Sequence, residues 1–260
     1  MTGVSLRLLT AAMAASLLSG CNPVNAPNST TSTPGLTGNW EFTTLYPGSA
    51  VPNIVFTGAL NQQGTNVTAI LRNSCFGTQD IDFSGAEDAM GNLTLASTNL
   101  PSTTVTVTGA VPLSGGAIQG ANYKFVETGS APCAPLTATL YGSQYPSFTG
   151  NFAGSVNSIY GVPANFAVDL AQGPVNADGQ FPLTGTVTVS SSTCTATFPL
   201  SLALSGGGFT TNLVSSSGPA STAAFNAGPV LVASPSLLAN FFITLTGCNP
   251  GTYTGSLYQQ

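Results

Sequence analysis

Hydrophobic and polar side chains alternate along much of the chain after its first 34 residues. Clear examples are 103–108, 184–189 and 197–204, where apolar residues alternate with polar or small ones. A period of two is typical of half-buried strands, and Gly, Asn or Pro interrupts the runs about every 8 to 12 residues. We therefore predict an all-β chain of antiparallel strands, folded as small barrels or sandwiches. The segment 235–245 has room for a turn of helix before its strand.

The sequence contains a tandem repeat of two units. The first match sets Leu-Thr-Gly-Asn-Trp against Phe-Thr-Gly-Asn-Phe, and a later one shares the pattern Cys-x-Pro-x-Thr-x-Thr. In chain order the matched segments are 36–40 with 148–152, 60–62 with 170–172, 133–139 with 248–254, and 140–141 with 257–258. The offset between copies stays between 110 and 117 residues. This order predicts two tandem β units, 35–145 and 146–260.

The cysteines follow the same repeat. Cys75 and Cys133 fall in the first unit, and Cys194 and Cys248 fall in the second. Four cysteines permit three pairings, and the duplication favours Cys75–Cys133 and Cys194–Cys248. By constraining the unfolded chain, each bond would stabilise the folded state by roughly 4 kcal/mol. The alternative is four free, buried thiols, which is less typical of an exported protein.

The first 21 residues have the form of an export signal. Arg7 precedes an apolar run at 8–18 that is rich in Ala and Leu. A run of about 11 residues is too short to span a bilayer but suits the core of a signal peptide. The segment then ends in Leu-Ser-Gly-Cys, with the cysteine at Cys21. This ending resembles the lipobox of bacterial lipoproteins; the alternative is an ordinary secretory signal in which the cysteine is incidental.

The lipobox resemblance implies a location. It implies that 1–20 are removed and that Cys21 becomes the first residue, carrying palmitate or similar acyl chains that anchor the protein stably in a membrane. Residues 22–34 are rich in Pro, Ser, Thr and Asn and are interpreted as a linker that reaches roughly 20 to 40 Å. Asn22 stands where aspartate would favour the inner membrane, so the resemblance implies the outer membrane of a bacterial cell envelope.

The composition excludes several functions. The chain has no histidine, 3 Lys and Arg, 8 Asp and Glu, and a formal net charge of −5. Once Arg7 leaves with the signal, the cations are Arg72 and Lys124. Two cations cannot form the basic surface that nucleic acids need, nor attract anionic lipid head groups. Without an imidazole, Ser-His-Asp and Cys-His mechanisms are excluded.

One dense group of acids suggests a metal site. Asp80, Asp82 and Ser84 occupy positions 1, 3 and 5 of a loop-like spacing, and Asp88 falls at position 9. Oxygen atoms at these positions converge on calcium in an EF-hand loop, although position 12 is Gly91 rather than glutamate. Apolar residues alternate with the acids, so the alternative is a strand that enters an acidic hairpin turn. Calcium is the only cofactor considered.

The same acids raise the question of glycoside hydrolysis. Such an enzyme needs two carboxyl groups about 5 to 10 Å apart, one with a raised pKa. The candidates are Glu41, Asp80, Asp82, Glu87, Asp88 and Glu127. The second unit has only Asp169 and Asp178, so a pair would exist in one copy only. We regard a hydrolase as the remote alternative.

The start of each unit has a family resemblance. The Gly-x-Trp at Gly38 and Trp40 resembles the opening of calycin barrels, the lipocalins and avidins, and the second copy has Phe152 at the matching position. The resemblance implies a β-barrel in which the aromatic residue packs across one end and a small apolar ligand or lipid lies inside. An aromatic side chain in any β core is the alternative.

These observations support one expectation over two alternatives. We expect a non-enzymatic lipoprotein of the bacterial envelope, attached to a membrane through Cys21, with a structural role or an interaction with other envelope proteins. The first alternative is a calycin-like binding protein for a small apolar ligand or lipid. The second is the carboxylate-dependent hydrolase. No interaction with nucleic acid is expected.

Overall fold

Sixteen strands and one short 3₁₀ helix form the described part of the computed structural model. The structure describes residues 35–45, 53–77, 79–110, 121–129, 136–230 and 237–260. Within these ranges there is no α-helix. The predicted Cys21 and its flanking segments, 1–34, lie outside the described residues.

The first eight strands close into a barrel. Each pairs antiparallel with the next, and the last pairs with the first. The strands are β1 (Gly38–Thr44), β2 (Val55–Gln63), β3 (Asn66–Asn73), β4 (Asp80–Glu87), β5 (Asn92–Ser97), β6 (Thr103–Ala110), β7 (Ala121–Gly129) and β8 (Leu136–Tyr145). The 3₁₀ helix, Ser74–Phe76, connects β3 to β4.

The interior of this barrel is built by alternation. On β1, Trp40 and Phe42 are fully buried, and their rings stack with centroids 5.5 Å apart. Trp40 lies opposite Gly58 on β2, where a Cβ would lie 2.1 Å from the carbonyl oxygen of Ile70. The indole Nε1 donates to the carbonyl oxygen of Leu36 at 2.7 Å, so the polar edge of this buried ring is satisfied.

The second eight strands pair in the same cyclic order as the strands of the first barrel, except that their sheet is open in one place. The strands are β9 (Gly150–Asn157), β10 (Pro163–Gln172), β11 (Phe181–Ser190), β12 (Thr195–Leu204), β13 (Phe209–Val214), β14 (Thr222–Val230), β15 (Leu237–Thr246) and β16 (Gly251–Gln259). Their order is β12-β11-β10-β9-β16-β15-β14-β13. Residues 237–246 are strand, so the strand expected in 235–245 is present; residues 235 and 236, where the turn of helix before it would begin, lie outside the described residues.

A proline explains the opening between β12 and β13. Thr197 of β12 makes two backbone hydrogen bonds toward β13, to Ser217 O and from Ser216 N. Backbone groups two residues apart in a strand point to the same side, so Pro199 also faces β13. Proline has no N–H to donate to a ladder, and the pairing does not continue past it.

Aromatic rings fill the second barrel. Phe166 of β10 packs against Phe241 and Tyr253, with ring centroids 4.8 and 5.2 Å apart. Phe225 contacts Phe241 at 5.6 Å in a similar edge-to-face arrangement. On β10, four buried apolar residues alternate with exposed ones along the strand. The prediction of two tandem, antiparallel, all-β units is therefore confirmed; the first is a closed barrel, and the second is a barrel-like sheet that is open between β12 and β13.

The repeat extends to individual hydrogen bonds. In the first copy Leu36 N donates to Gln62 Oε1 at 2.8 Å, and in the second Phe148 N donates to Gln172 Oε1 at 2.9 Å. In both copies the N–H of that glutamine donates to the hydroxyl of the threonine after the Leu or Phe. The two Gln residues thus fix the entry of the first strand of each barrel.

The last sequence match is out of register with the structure. Trp40 pairs with Gln144 in the first barrel, and Phe152 pairs with Gln259 in the second. The structural offset there is 259 − 144 = 115 residues, two fewer than the offset between the matched Leu-Tyr pairs. Those pairs are therefore not equivalent positions, and the two glutamines are.

The disulfide predicted for the second unit is present. Cys194 and Cys248 are bonded, with Cα atoms 5.7 Å apart, and they join the β11–β12 and β15–β16 connections. Cys75 is also disulfide-bonded and lies in the equivalent β3–β4 connection. Its predicted partner, Cys133, lies outside the described residues.

Candidate functional site

The two barrels meet through a short glycine-rich connection. Residues 205–208, Ser-Gly-Gly-Gly, join β12 to β13 and lie on the outer wall of the first barrel. Asn39 donates from Nδ2 to Gly206 O and accepts at Oδ1 from Gly206 N, both at 2.8 Å. The next N–H, of Gly207, donates to Glu41 Oε2 at 3.0 Å. The asparagine amide therefore pairs with Gly206 as a neighbouring backbone would.

Glycine is required at this contact. Gly206 has φ +80°, and a Cβ there would lie 2.7 Å from the side chains of both Glu41 and Thr57. A Cβ on Gly207 would lie 2.2 Å from Cζ of Tyr145. These distances leave no room for a side chain, so the connection fits against β1, β2 and β8 by backbone alone.

The position of Tyr145 at the junction shifts the pKa of its phenol. Burial of its phenol raises the pKa of Tyr145 to about 12, and the nearby carboxylate of Glu41 adds to the increase. The phenol is therefore neutral throughout the physiological range.

A second connection of the second barrel also contacts the first. At Gly179, between β10 and β11, a Cβ would lie 2.6 Å from the carbonyl oxygen of Ile70 on β3. Ala59 of β2, which points outward from the first barrel, belongs to the apolar core of the second. The outer wall of β1–β3 thus packs against one end of the second barrel, and the described residues from 35 to 260 belong to one compact unit.

A cleft of about 340 Å³ opens beside this junction. Ala59 and Ile70 line it from the first barrel, and Val175, Asn176 and Phe181 line it from the second. None of its lining residues is charged. Its volume lies at the low end of the range typical of small-molecule pockets.

The loop that forms one wall of the cleft is ordered by hydrogen bonds between its own residues. Asn176 Oδ1 accepts from the backbone N–H of Asp178 at 3.0 Å and of Gln180 at 2.9 Å. The same asparagine makes backbone hydrogen bonds that close a turn at Gly179. The apolar Val175 is therefore held at the mouth of the cleft by an ordered turn.

The predicted calcium ligands are not brought together. Asp80, Asp82 and Ser84 lie on one strand, β4, whose residues four apart are separated by about 13 Å. Asp80 forms an ion pair with Arg72, and the pKa of Arg72 is raised by this hydrogen bond. The spacing of the acids is that of a strand, as the alternative interpretation had it.

Asp88 has a local structural role after β4. Its carboxylate accepts from the N–H of Met90 at 2.8 Å and from the side-chain amide of Asn92 at 2.8 Å. These bonds, that of the Asn92 side chain above all, lower the pKa of Asp88. Among the described residues, no group of three or more Asp, Glu, Cys or His side chains is placed to hold a metal ion.

Two other glutamates lie inside the first barrel. Glu87 and Glu127 are buried, and Glu87 Oε2 accepts from Gln62 Nε2. The sequence indicated them only as candidates for a hydrolase carboxylate pair, and their burial was not predicted. A signal was available for Glu87, because it has the same parity along β4 as the buried Ile81 and Phe83.

Comparison with known proteins adds no relative. No protein-family model, curated protein or solved structure matches the chain. The calycin resemblance therefore stays a prediction. In the part of the chain that the structure describes, no helix is long and apolar enough to cross a membrane.

Proposed function

We propose that this chain is a non-enzymatic lipoprotein of the bacterial envelope, anchored through Cys21, with a structural or interaction role. The observation that carries the proposal is how the described part of each barrel uses its interior. Packed aromatic and aliphatic side chains occupy both interiors, and one end of the second barrel packs against the first. Barrels packed in this way are suited to a rigid domain that interacts through its surface rather than to an enclosed active site.

The position of the acids supports the absence of catalysis. A catalytic carboxylate must reach its substrate, yet Glu87 and Glu127 are buried in the first barrel. Glu41 is engaged by the Gly207 N–H at the junction, and Asp80 is paired with Arg72. Glu41, Glu87 and Asp80 thus each bond to a group of the chain itself.

The surface and the disulfides suit an exported protein. Charged residues make up 4% of the chain, so solubility depends on Ser, Thr, Asn and Gln, whose hydration is insensitive to salt. Cys194–Cys248 and the bonded Cys75 are typical of an oxidising compartment. The lipobox resemblance supplies the anchor, and Asn22 favours the outer membrane by the same resemblance.

Lipid labelling tests the anchoring. A bacterial host that expresses the full chain is fed an alkyne-tagged palmitate, and the protein is then recovered from membrane and soluble fractions. We expect label and membrane association in the wild type and in the linker variant Ser29→Ala, and loss of both in Cys21→Ser. An unlabelled wild type in the soluble fraction would overturn the proposal.

A second candidate function is the binding of a small apolar ligand, favoured by the cleft beside the junction. The cleft is uncharged and lined mainly by apolar groups, which suits a neutral ligand. It lies between the barrels, whereas the calycin resemblance implied a ligand inside one barrel.

Titration with the apolar dye N-phenylnaphthylamine separates the two functions. Binding at the cleft predicts a saturable rise in dye fluorescence that falls in Val175→Asn. The control is Val214→Asn, at an exposed valine outside the cleft lining. Equal dye binding by both variants would exclude the cleft as a binding site.

A further inference from the structure

Three large apolar side chains project from one turn of the second barrel. The turn 158–162 joins β9 to β10, and we call Ile159, Tyr160 and Val162 the apolar tip. Their exposed fractions are 62%, 84% and 55%. Exposing this much apolar surface at adjacent positions is unfavourable in water, so the tip needs an explanation.

The tip is ordered by its own hydrogen bonds. Ser158 Oγ accepts from the N–H of Val162 at 3.0 Å and of Tyr160 at 3.3 Å. The backbone of Ser158 also donates to Val162 O and accepts from Gly161, which has φ +80°. The residue after Ser158 donates its N–H to Thr252 O at 2.9 Å. The fold therefore presents these side chains outward in a fixed arrangement.

The end of the barrel that carries the tip is uncharged. In an up-and-down sheet, alternate connections share an end, so 158–162 lies with 191–194, 215–221 and 247–250. None of these segments contains Asp, Glu, Lys or Arg. The acids of the second unit, Asp169 and Asp178, lie toward the other end. This end therefore enters an apolar medium without the large penalty of desolvating a charge.

We infer that the apolar tip contacts the acyl and head-group boundary of a lipid bilayer. A tyrosine with two aliphatic neighbours is suited to that boundary, because its ring is apolar and its hydroxyl stays hydrated. The absence of cations at this end means that the contact depends on apolar burial rather than on anionic head groups.

The tether keeps the folded part of the chain near the membrane. This step rests on the proposed anchoring at Cys21. The 14 residues from Cys21 to Pro34 span at most about 50 Å when extended. A short flexible tether gives an effective concentration in the millimolar range, so three side chains suffice for a contact that would be weak without the anchor.

The test uses an anchor that does not depend on cellular lipidation. A chain of residues 21–260 is coupled through the Cys21 thiol to phosphatidylcholine vesicles that contain a maleimide lipid. In Tyr160→Trp, the new indole reports on the tip, while the single native tryptophan, Trp40, is fully buried and serves as an internal reference. The vesicles contain brominated acyl chains, which quench indole emission on contact.

On coupling to the vesicles, we expect the Tyr160→Trp chain to lose emission intensity and shift to shorter wavelength, whereas the wild-type emission, which comes from the buried Trp40 alone, should not change. The loss should persist in about 1 M salt, where screening falls to about 3 Å. The matched control is Tyr258→Trp, since Tyr258 is an exposed tyrosine near the other end of the barrel. The further variant Ile159→Asn, made in the Tyr160→Trp chain, should reduce the quenching.

Two results would overturn the inference. The first is quenching of Tyr160→Trp no greater than that of Tyr258→Trp. The second is a spectral shift of Tyr160→Trp that appears without vesicles as protein concentration rises, which would assign the tip to contact between two copies. Because the anchor is chemical, failure here leaves lipidation in cells intact, and failure of palmitate labelling leaves this result intact.

Discussion

Replacing Asn39 by alanine removes both hydrogen bonds that hold Gly206 against the first barrel. Asn39 has an exposed fraction of 1%, and the two bonds are 2.8 Å long and buried. Alanine leaves the N–H and the C=O of Gly206 without these partners at a site that water does not reach. We therefore expect the junction between the barrels to weaken.

The magnitude follows from the number of groups left unpaired. A buried donor or acceptor that loses its partner costs about 1–3 kcal/mol. With two such groups, partly compensated by relaxation of the connection, we expect the free energy of unfolding to fall by about 2–4 kcal/mol. Two to four kcal/mol is a large part of the stability of a typical domain.

The repeat provides a matched control. Asn151 occupies the same place in the second copy, in the same Thr-Gly-Asn sequence, but its side chain is exposed. Asn151→Ala should change the free energy of unfolding by no more than about 0.5 kcal/mol. Both variants are compared with the wild type by urea unfolding followed through the emission of Trp40, the chain's one tryptophan.

The dependence on urea gives a second readout. If the barrels uncouple in Asn39→Ala, less surface is exposed in the transition that Trp40 reports, and the slope m decreases. The reasoning is refuted if Asn39→Ala is no less stable than Asn151→Ala and unfolds with the same slope as the wild type.

Three further predictions concern the junction and the disulfide. Gly207→Ala forces its Cβ toward the ring of Tyr145 and should cost about 1–3 kcal/mol in urea unfolding, whereas Gly173→Ala, with only ordinary contacts, should not. Replacing Cys194 and Cys248 together by serine should lower stability by about 4 kcal/mol, the loop-closure value for a separation of 54 residues; an unchanged urea midpoint would contradict this. The pKa of Tyr145 is 10.0 when unfolded and about 12 when folded, so the folded state holds its proton more tightly. The stability this phenol contributes below pH 10 is lost as pH rises toward 12, and Tyr145→Phe should lack that part of the decline in thermal melts.

The strands and the pairing of the second unit could be predicted because their signals are local or repeated. β10 alternates over its whole length, and one buried face requires that pattern. The duplication selected Cys194–Cys248 from three pairings without any knowledge of distance. Pro199 also carries a signal for an edge strand, because proline cannot donate to a ladder.

The junction could not be predicted, because identical local sequences occupy different environments in the two units. Asn39 and Asn151 both follow Thr-Gly, yet one is buried against Gly206 and the other is exposed. The difference arises from how the second barrel lies on the first, which no local pattern encodes. The acids at Asp80 and Asp82 were ambiguous for another reason, since a spacing of two fits both a calcium loop and a strand.

The intact mass of the protein purified from the membranes of an expressing bacterium tests the central claim most directly. The account predicts a chain that begins at Cys21, carries the added mass of its acyl chains, and lacks the hydrogens removed by two disulfides. Reduction should restore those hydrogens and leave the acyl mass in place. A chain cleaved elsewhere, with an unmodified Cys21 or no Cys21 at all, would contradict the account.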